Sequence, residues 1–223
     1  MPFKSALLFL FLTVLCAGCF DLVEEVNLRA DGSGTFLFEA NLSQSKTKLQ
    51  TMMALDSVDG FKIPSKKQIQ DEMDKARKIL ESSEGISKVS SKIDFDNYIF
   101  SLGFEFSNVK ILDHALTAMH AAFSSGKSIH EKNGFRQEGT TFERINEYTV
   151  PHEVKAVPKK EMDLLNNASF TCIYRFDQTI LSFSNADARL SKNGKALFLK
   201  LSIPDILNGT KNVSDIIQIK TKP

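Results

Sequence analysis

Three cysteines, four histidines and 27 acidic residues are the chain's stock of nucleophiles, metal ligands and general acids or bases. Most stand where they cannot cooperate. His114 and His120 are six residues apart, about 600° of turn on a helix, so they do not share a ligand face. His152-Glu153 lacks a second histidine at the spacing of a zinc-protease helix. Cys172 alternates with Phe170 and Tyr174 and reads as a small buried hydrophobe, not a nucleophile. There is no Gly-x-Ser-x-Gly elbow. Ala121 to Ser128 matches a relaxed phosphate-loop pattern, but it closes a helix instead of opening one, and a helix C-terminus repels anions. The residues therefore predict no metal, no nucleotide and no cofactor. Cys19 is the one cysteine with a specific chemistry in view.

Cys19 ends a segment with the layout of a secretory signal. Lys4 precedes the apolar run Ala6 to Leu15, and Ala17-Gly18 stand just before the cysteine. A membrane-crossing helix needs roughly twenty apolar residues, so a core of this length predicts removal of residues 1–18. Leu15-Cys16-Ala17-Gly18-Cys19 resembles the bacterial lipobox, with Cys16 where that motif usually carries leucine. The resemblance implies a diacylglyceryl group on the Cys19 thiol and further acylation of its new amino group. Two or more chains give stable anchoring. Ordinary cleavage near Gly18 and an uncleaved signal anchor are the alternatives.

Once Lys4 leaves with the signal, 27 basic and 27 acidic residues remain. That balance gives no electrostatic case for nucleic acid. About two hundred residues suffice for a real core. With Cys16 removed and Cys19 acylated, Cys172 has no partner for an intramolecular disulfide. The boundaries predicted are a signal at 1–18, a lipidated tether at 19–25 and one domain at 26–220, with an internal boundary near Pro151–Pro158.

The elements follow from periodicity. Val26 and Leu28, the turn Asp31-Gly32-Ser33-Gly34, then Phe36, Phe38, Ala40 and Leu42 read as a first hairpin. Ser45 to about Leu55 is helical in pattern, and Ser65-Lys66-Lys67-Gln68 is a capping box opening a helix that Gly85 stops. Ile86 to Ile93 pairs with Asn97 to Phe106, and Ser107 or Asn108 caps a helix with Val109, Leu112, Leu116, Met119 and Phe123 on one stripe. Strand signals dominate beyond Phe135: Phe170 to Phe176, Ile180 to Ser184, Ala188 to Ser191, Leu197 to Ile203 and Val213 to Lys220, with a short helix from Pro158. Direct strand-to-strand succession predicts an α+β fold, an antiparallel and curved sheet with about four helices on one face.

On the most regular strand Tyr98, Phe100, Leu102, Phe104 and Phe106 share one face. Such an aromatic stripe either fills a core or lines an apolar pocket for an amphiphile. The functional reading is a non-enzymatic, membrane-tethered protein that binds a protein partner or an amphiphile. A hydrolase of envelope glycan or lipid, and an assembly subunit, are the alternatives. Acidic residues scattered over polar faces and turns tilt away from an enzyme.

Glu24 to Thr35, Phe95 to Phe100 and Cys172 to Phe176 resemble segments of uncharacterised Bacteroidota envelope lipoproteins of similar length. More loosely, an anchored hairpin with an Asp-Gly turn followed by strand–helix units is similar to LppM-type lipoproteins, for which a helix-grip lipid-binding domain is the implied role. Neither resemblance transfers site residues. The first implies O-glycosylation at Ser57, within Asp56-Ser57-Val58. The four Asn-x-Ser/Thr sequons at Asn41, Asn167, Asn208 and Asn212 read as chance. By analogy with lipoprotein sorting, Phe20 after the anchor, where aspartate would signal inner-membrane retention, implies the outer membrane. The sparse acidic residues that follow favour its periplasmic face over the cell surface.

Overall fold

The computed structural model describes residues 20–55, 57–58, 61–123, 133–146 and 165–221. The first hairpin forms as its alternation requires: β1 (Asp21–Leu28) and β2 (Gly34–Asn41) pair antiparallel with Val26 opposite Phe36. Asp31 closes the turn by accepting from the amide and hydroxyl of Ser33. Five residues predicted as tether, Asp21 to Glu25, are instead strand, and Glu24 is only 5% exposed. Among the described residues only Phe20 precedes the sheet.

A 3-10 turn (Ser43–Ser45), α1 (Lys46–Met53) and a two-residue ladder of β3 (Ser57–Val58) with β4 (Phe61–Lys62) lead to α2 (Lys66–Glu81). The predicted capping box is present: the Ser65 hydroxyl accepts from the Gln68 amide at 3.2 Å, and the Gln68 side chain accepts from the Ser65 amide at 2.8 Å. β5 (Ile86–Asp94) and β6 (Ile99–Phe106) follow. The strand predicted from Asn97 starts two residues later. Asp94 accepts from the amides of Asp96 and Asn97, at 3.0 and 2.9 Å, and winds that stretch into a turn that leaves Tyr98 at φ +54°. Asn108 opens α3 (Val109–Phe123), accepting from the Ile111 amide at 3.1 Å.

The remaining elements are β7 (Asn133–Glu138), β8 (Thr141–Asn146), β9 (Ser169–Phe176), β10 (Ile180–Phe183), β11 (Arg189–Leu190), β12 (Ala196–Ser202), α4 (Ile203–Leu207) and β13 (Asp215–Ile219). Ile203, expected to end a strand, starts α4, because the Ser202 hydroxyl caps the Asp205 amide at 3.2 Å and Pro204 suits a first turn. The boundary predicted at Pro151–Pro158 lies outside the described residues.

The class is α+β, with open, mostly antiparallel sheets. Seven strands run β11-β12-β9-β1-β2-β6-β5, and four form a second sheet, β10-β13-β8-β7. Two features depart from the antiparallel single sheet expected. One is the second sheet. The other is β1–β9, a parallel pair in register from Asp21 with Ser169 to Leu28 with Phe176. A parallel pair needs a long crossover, and here, among the described residues, β2 to β8 and the helices α1, α2 and α3 intervene.

Both α2 and α3 and the smaller sheet cover the same face of the larger one. Val26, Leu28, Phe36, Phe104, Phe106, Tyr174 and Leu199 of the large sheet join Leu80, Leu112, Phe142 and Ile217 in one core. Phe142 meets Tyr174 and Phe176 with ring centroids 5.7 and 5.4 Å apart, and Phe135 bridges Phe36 and Tyr174 at 6.5 and 6.2 Å. Asp113 of α3 accepts from the Phe135 amide at 3.0 Å, so the helix also covers the β7 edge.

Gly34 sits where backbone and ring converge: a Cβ there would run into the Asn27 carbonyl and the Phe106 ring. Gly34→Ala should therefore lower stability by about 1–3 kcal/mol, the usual range for overpacking, read as a lower urea midpoint. An unchanged midpoint would mean the hairpin and β6 pack more loosely than described.

Candidate functional site

Two places among the described residues bear on function. The first is a polar cluster inside the core. Glu24 on β1 meets Arg144 on β8 through two hydrogen bonds, Nε–Oε1 at 2.9 Å and Nη2–Oε2 at 3.0 Å. The Tyr174 hydroxyl donates to Glu24 Oε1 at 2.9 Å, and Arg144 Nη1 donates to the Ile145 carbonyl at 2.6 Å. The guanidinium also lies 4.8 Å from the Phe135 ring centroid. Burial acts to lower the arginine's pKa, but the Glu24 carboxylate and the Tyr174 oxygen outweigh it, and the net shift is upward. The guanidinium fork meets the carboxylate through two parallel hydrogen bonds. It fastens the small sheet to the large one.

Cys172 lies beside this cluster, fully buried. Burial first, then the Glu24 carboxylate, pushes its thiol well above the ordinary range. Tyr174 moves the same way, again by burial first. A thiol held neutral is not a nucleophile.

The second place is a groove of about 830 Å³, within the roughly 300–1,000 Å³ of small-molecule sites. Its floor is Phe38 and Ala40 of β2 with Phe100 and Leu102 of β6. Its walls are Ile69, Met73 and Ala76 of α2 and Met119 and Phe123 of α3. The groove lies where the two helices leave the sheet uncovered, and Lys75 of α2 reaches across to the end of α3, donating to the Ala122 carbonyl at 2.8 Å with its ammonium 4.7 Å from the Phe123 ring centroid. Leu80 and Leu112 are fully buried over Phe104 and Phe106, whereas Phe123 at the end of α3 is 43% exposed. At the rim, Asp71 is paired with Lys67 at 2.9 Å and Glu72 with Lys75 at 3.8 Å, all four solvent-exposed. Two adjacent rim carboxylates, each with its own lysine, are not a general acid and base pair.

The aromatic stripe is thus divided. Phe100 and Leu102 line the groove, Phe104 and Phe106 are closed core, and Tyr98 is buried beneath its turn, away from the groove lining. The helical wall was not singled out as a site from sequence. Its signal, the apolar stripes of α2 and α3, is the same one that marks an ordinary core. Ser57 is exposed on β3, and Asp56 beside it lies outside the described residues, as does Cys19. His114 and His120 are exposed on α3. Among the described residues no three His, Cys, Asp or Glu side chains converge, and no helix is long and apolar enough to cross a membrane.

No protein-family model and no curated protein matches this chain, so the resemblance to Bacteroidota lipoproteins gains no support. Among solved structures, the NMR structure of the Mycobacterium tuberculosis LppM protein folded domain is similar, with a TM-score of 0.45 and 12% identity over 93% of this chain and 94% of that one. A likeness so loose assigns no residue a role.

Arg144→Met alone should cost about 3–5 kcal/mol, because it strands a buried carboxylate. Arg144→Met with Glu24→Leu should cost clearly less than the sum of the two single changes, as read by a urea double-mutant cycle. Additive losses would dissolve the fastening. The Cys172 thiol sets a pH dependence too. Its folded pKa is raised above the unfolded 9.0, so the stability it contributes is full below about pH 9 and is lost as pH rises beyond it, by up to about 1.4 kcal/mol per unit. Cys172→Ala should flatten that alkaline slope, and equal slopes in both proteins would contradict the buried, neutral thiol.

Proposed function

We propose that the chain is an envelope lipoprotein, held to the membrane by acyl chains on Cys19, whose α+β domain binds the hydrocarbon part of an amphiphile in the groove between α2, α3 and the sheet. The single observation that carries this reading is the groove itself, about 830 Å³ bounded by Phe38, Phe100, Leu102, Ile69, Met73 and Met119. Apolar walls suit a hydrocarbon tail. Burying about ten methylenes contributes on the order of 8 kcal/mol before the cost of lost freedom, enough to hold a tail against water. The lysine-paired rim carries no net charge, so tail shape rather than headgroup charge would govern choice.

The signal-like segment ending at Cys19 supports the anchor, and Phe20 after it supports the outer membrane, with its periplasmic face as the proposed location. Nothing in the groove favours the hydrolase alternative, since its carboxylates are exposed and paired.

Native mass spectrometry of the chain from Phe20 onward should show a co-purifying lipid. Ile69→Glu places a charge on the half-buried groove wall and Ala40→Phe fills the floor; each should cut occupancy at least tenfold while the far-ultraviolet circular dichroism stays unchanged. A clean apo protein after expression in cells with an intact envelope would end the proposal.

A further inference from the structure

The groove has a direction, and it is the direction from which the chain enters the fold. Strand register defines the two ends of the large sheet. Asp21 pairs with Asn41 and Asn41 with Ile99, so the starts of β1 and β6 and the end of β2 share one end. Phe106 pairs with Gly34 and Ile86 at the other. α3 leaves that second end at Val109 and runs back, so Phe123 finishes at the first end; α2 runs towards Ile86, so Lys66 starts there too. The groove floor, Ala40 and Phe100, belongs to the first end as well. Cys19 stands two residues before β1.

A tether that short leaves the domain little choice of posture. A flexible chain reaches at most about 3.6 Å per residue, so the end carrying Asp21 stays at the membrane surface. The other features of that end fit an interface. The connection from β2 to α2 carries α1, which has no buried residue, and Leu55, 51% exposed. Lys46 and Lys48 lie on α1 itself, and Lys66 and Lys67 open α2; long cationic side chains on the same elements as exposed apolar ones suit a headgroup boundary.

We infer that this end of the domain, α1 with Leu55 and Phe123, docks on the phospholipid bilayer that holds the anchor, with the groove mouth opening onto the lipid. The inference rests on the tether and groove proposed above. It adds that the amphiphile enters laterally from the bilayer, exchanging one apolar surrounding for another, and does not cross water.

The chain has no tryptophan, so single probes report without background. The full lipidated chain is reconstituted into phosphatidylcholine vesicles with and without brominated acyl chains, carrying one of three substitutions. Leu55→Trp reports the docking face, Phe123→Trp the groove mouth, and Ala30→Trp the exposed turn at the opposite end. Bromolipid should quench Leu55→Trp and Phe123→Trp at least twofold and leave Ala30→Trp unchanged. Quenching of Phe123→Trp without Leu55→Trp means a filled groove on an undocked domain, and it overturns the docking while sparing the lipid-binding proposal. Quenching of Leu55→Trp alone supports docking while the groove proposal fails. Equal quenching of Leu55→Trp and Ala30→Trp overturns the orientation.

Discussion

The bond between Glu24 and Arg144 is the constraint on which the rest of the molecule depends. β1 is the middle strand of the seven, flanked by β9 and β2, and its Glu24 turns inward where an apolar residue would be expected. A lone buried carboxylate is costly. Arg144 satisfies both oxygens and Tyr174 adds a third hydrogen bond, so the small sheet can lie in one register over the large one. Phe135 and Phe142 then fill the space beside the pair. Replacing such a pair by apolar groups is often neutral for stability; what it supplies here is a fixed position between two surfaces that are otherwise greasy and non-directional.

With the small sheet fixed over β9 and β1, α2 and α3 are left to cover β2, β6 and β5. They do so unequally. Leu80 of α2 packs with Val109, Leu112 and Ala115 of α3 into the closed core, whereas Gln68, Ile69 and Asp71, near the start of α2, lie against the groove with Phe123 of α3. One strand face is therefore solid around Phe104 and hollow around Phe100. The hollow lies at the end where β1 begins, so the proposed anchor and the proposed binding site fall at one end of the sheet.

Particular residues show what could be read in advance. The capping box at Ser65 and Gln68, the Asn108 cap and the Asp31 turn are local, with all partners within a few residues, and each forms as its pattern demands. The alternation of β6 correctly pointed Phe100 to Phe106 inward. It could not separate a packed position from a lining one, because that depends on how α2 and α3 settle over the strand in the folded molecule. The Asp94 turn was local too, yet the aromatic alternation through Tyr98 masked it. Glu24 falls in the stretch expected to be a lipidated tether, since nothing near it in sequence announces Arg144, 120 residues away.

By itself the sequence determined the signal-like segment ending at Cys19, the α+β class, the charge balance and most element positions, because these rest on composition and on interactions within a turn or a hairpin. Only the tertiary structure decided the parallel β1–β9 pair, the second sheet, the burial of Glu24 and the groove that α2 and α3 leave over the sheet. Each of those joins segments distant along the chain, and their energies come from shape and desolvation at the meeting point, which no local pattern encodes.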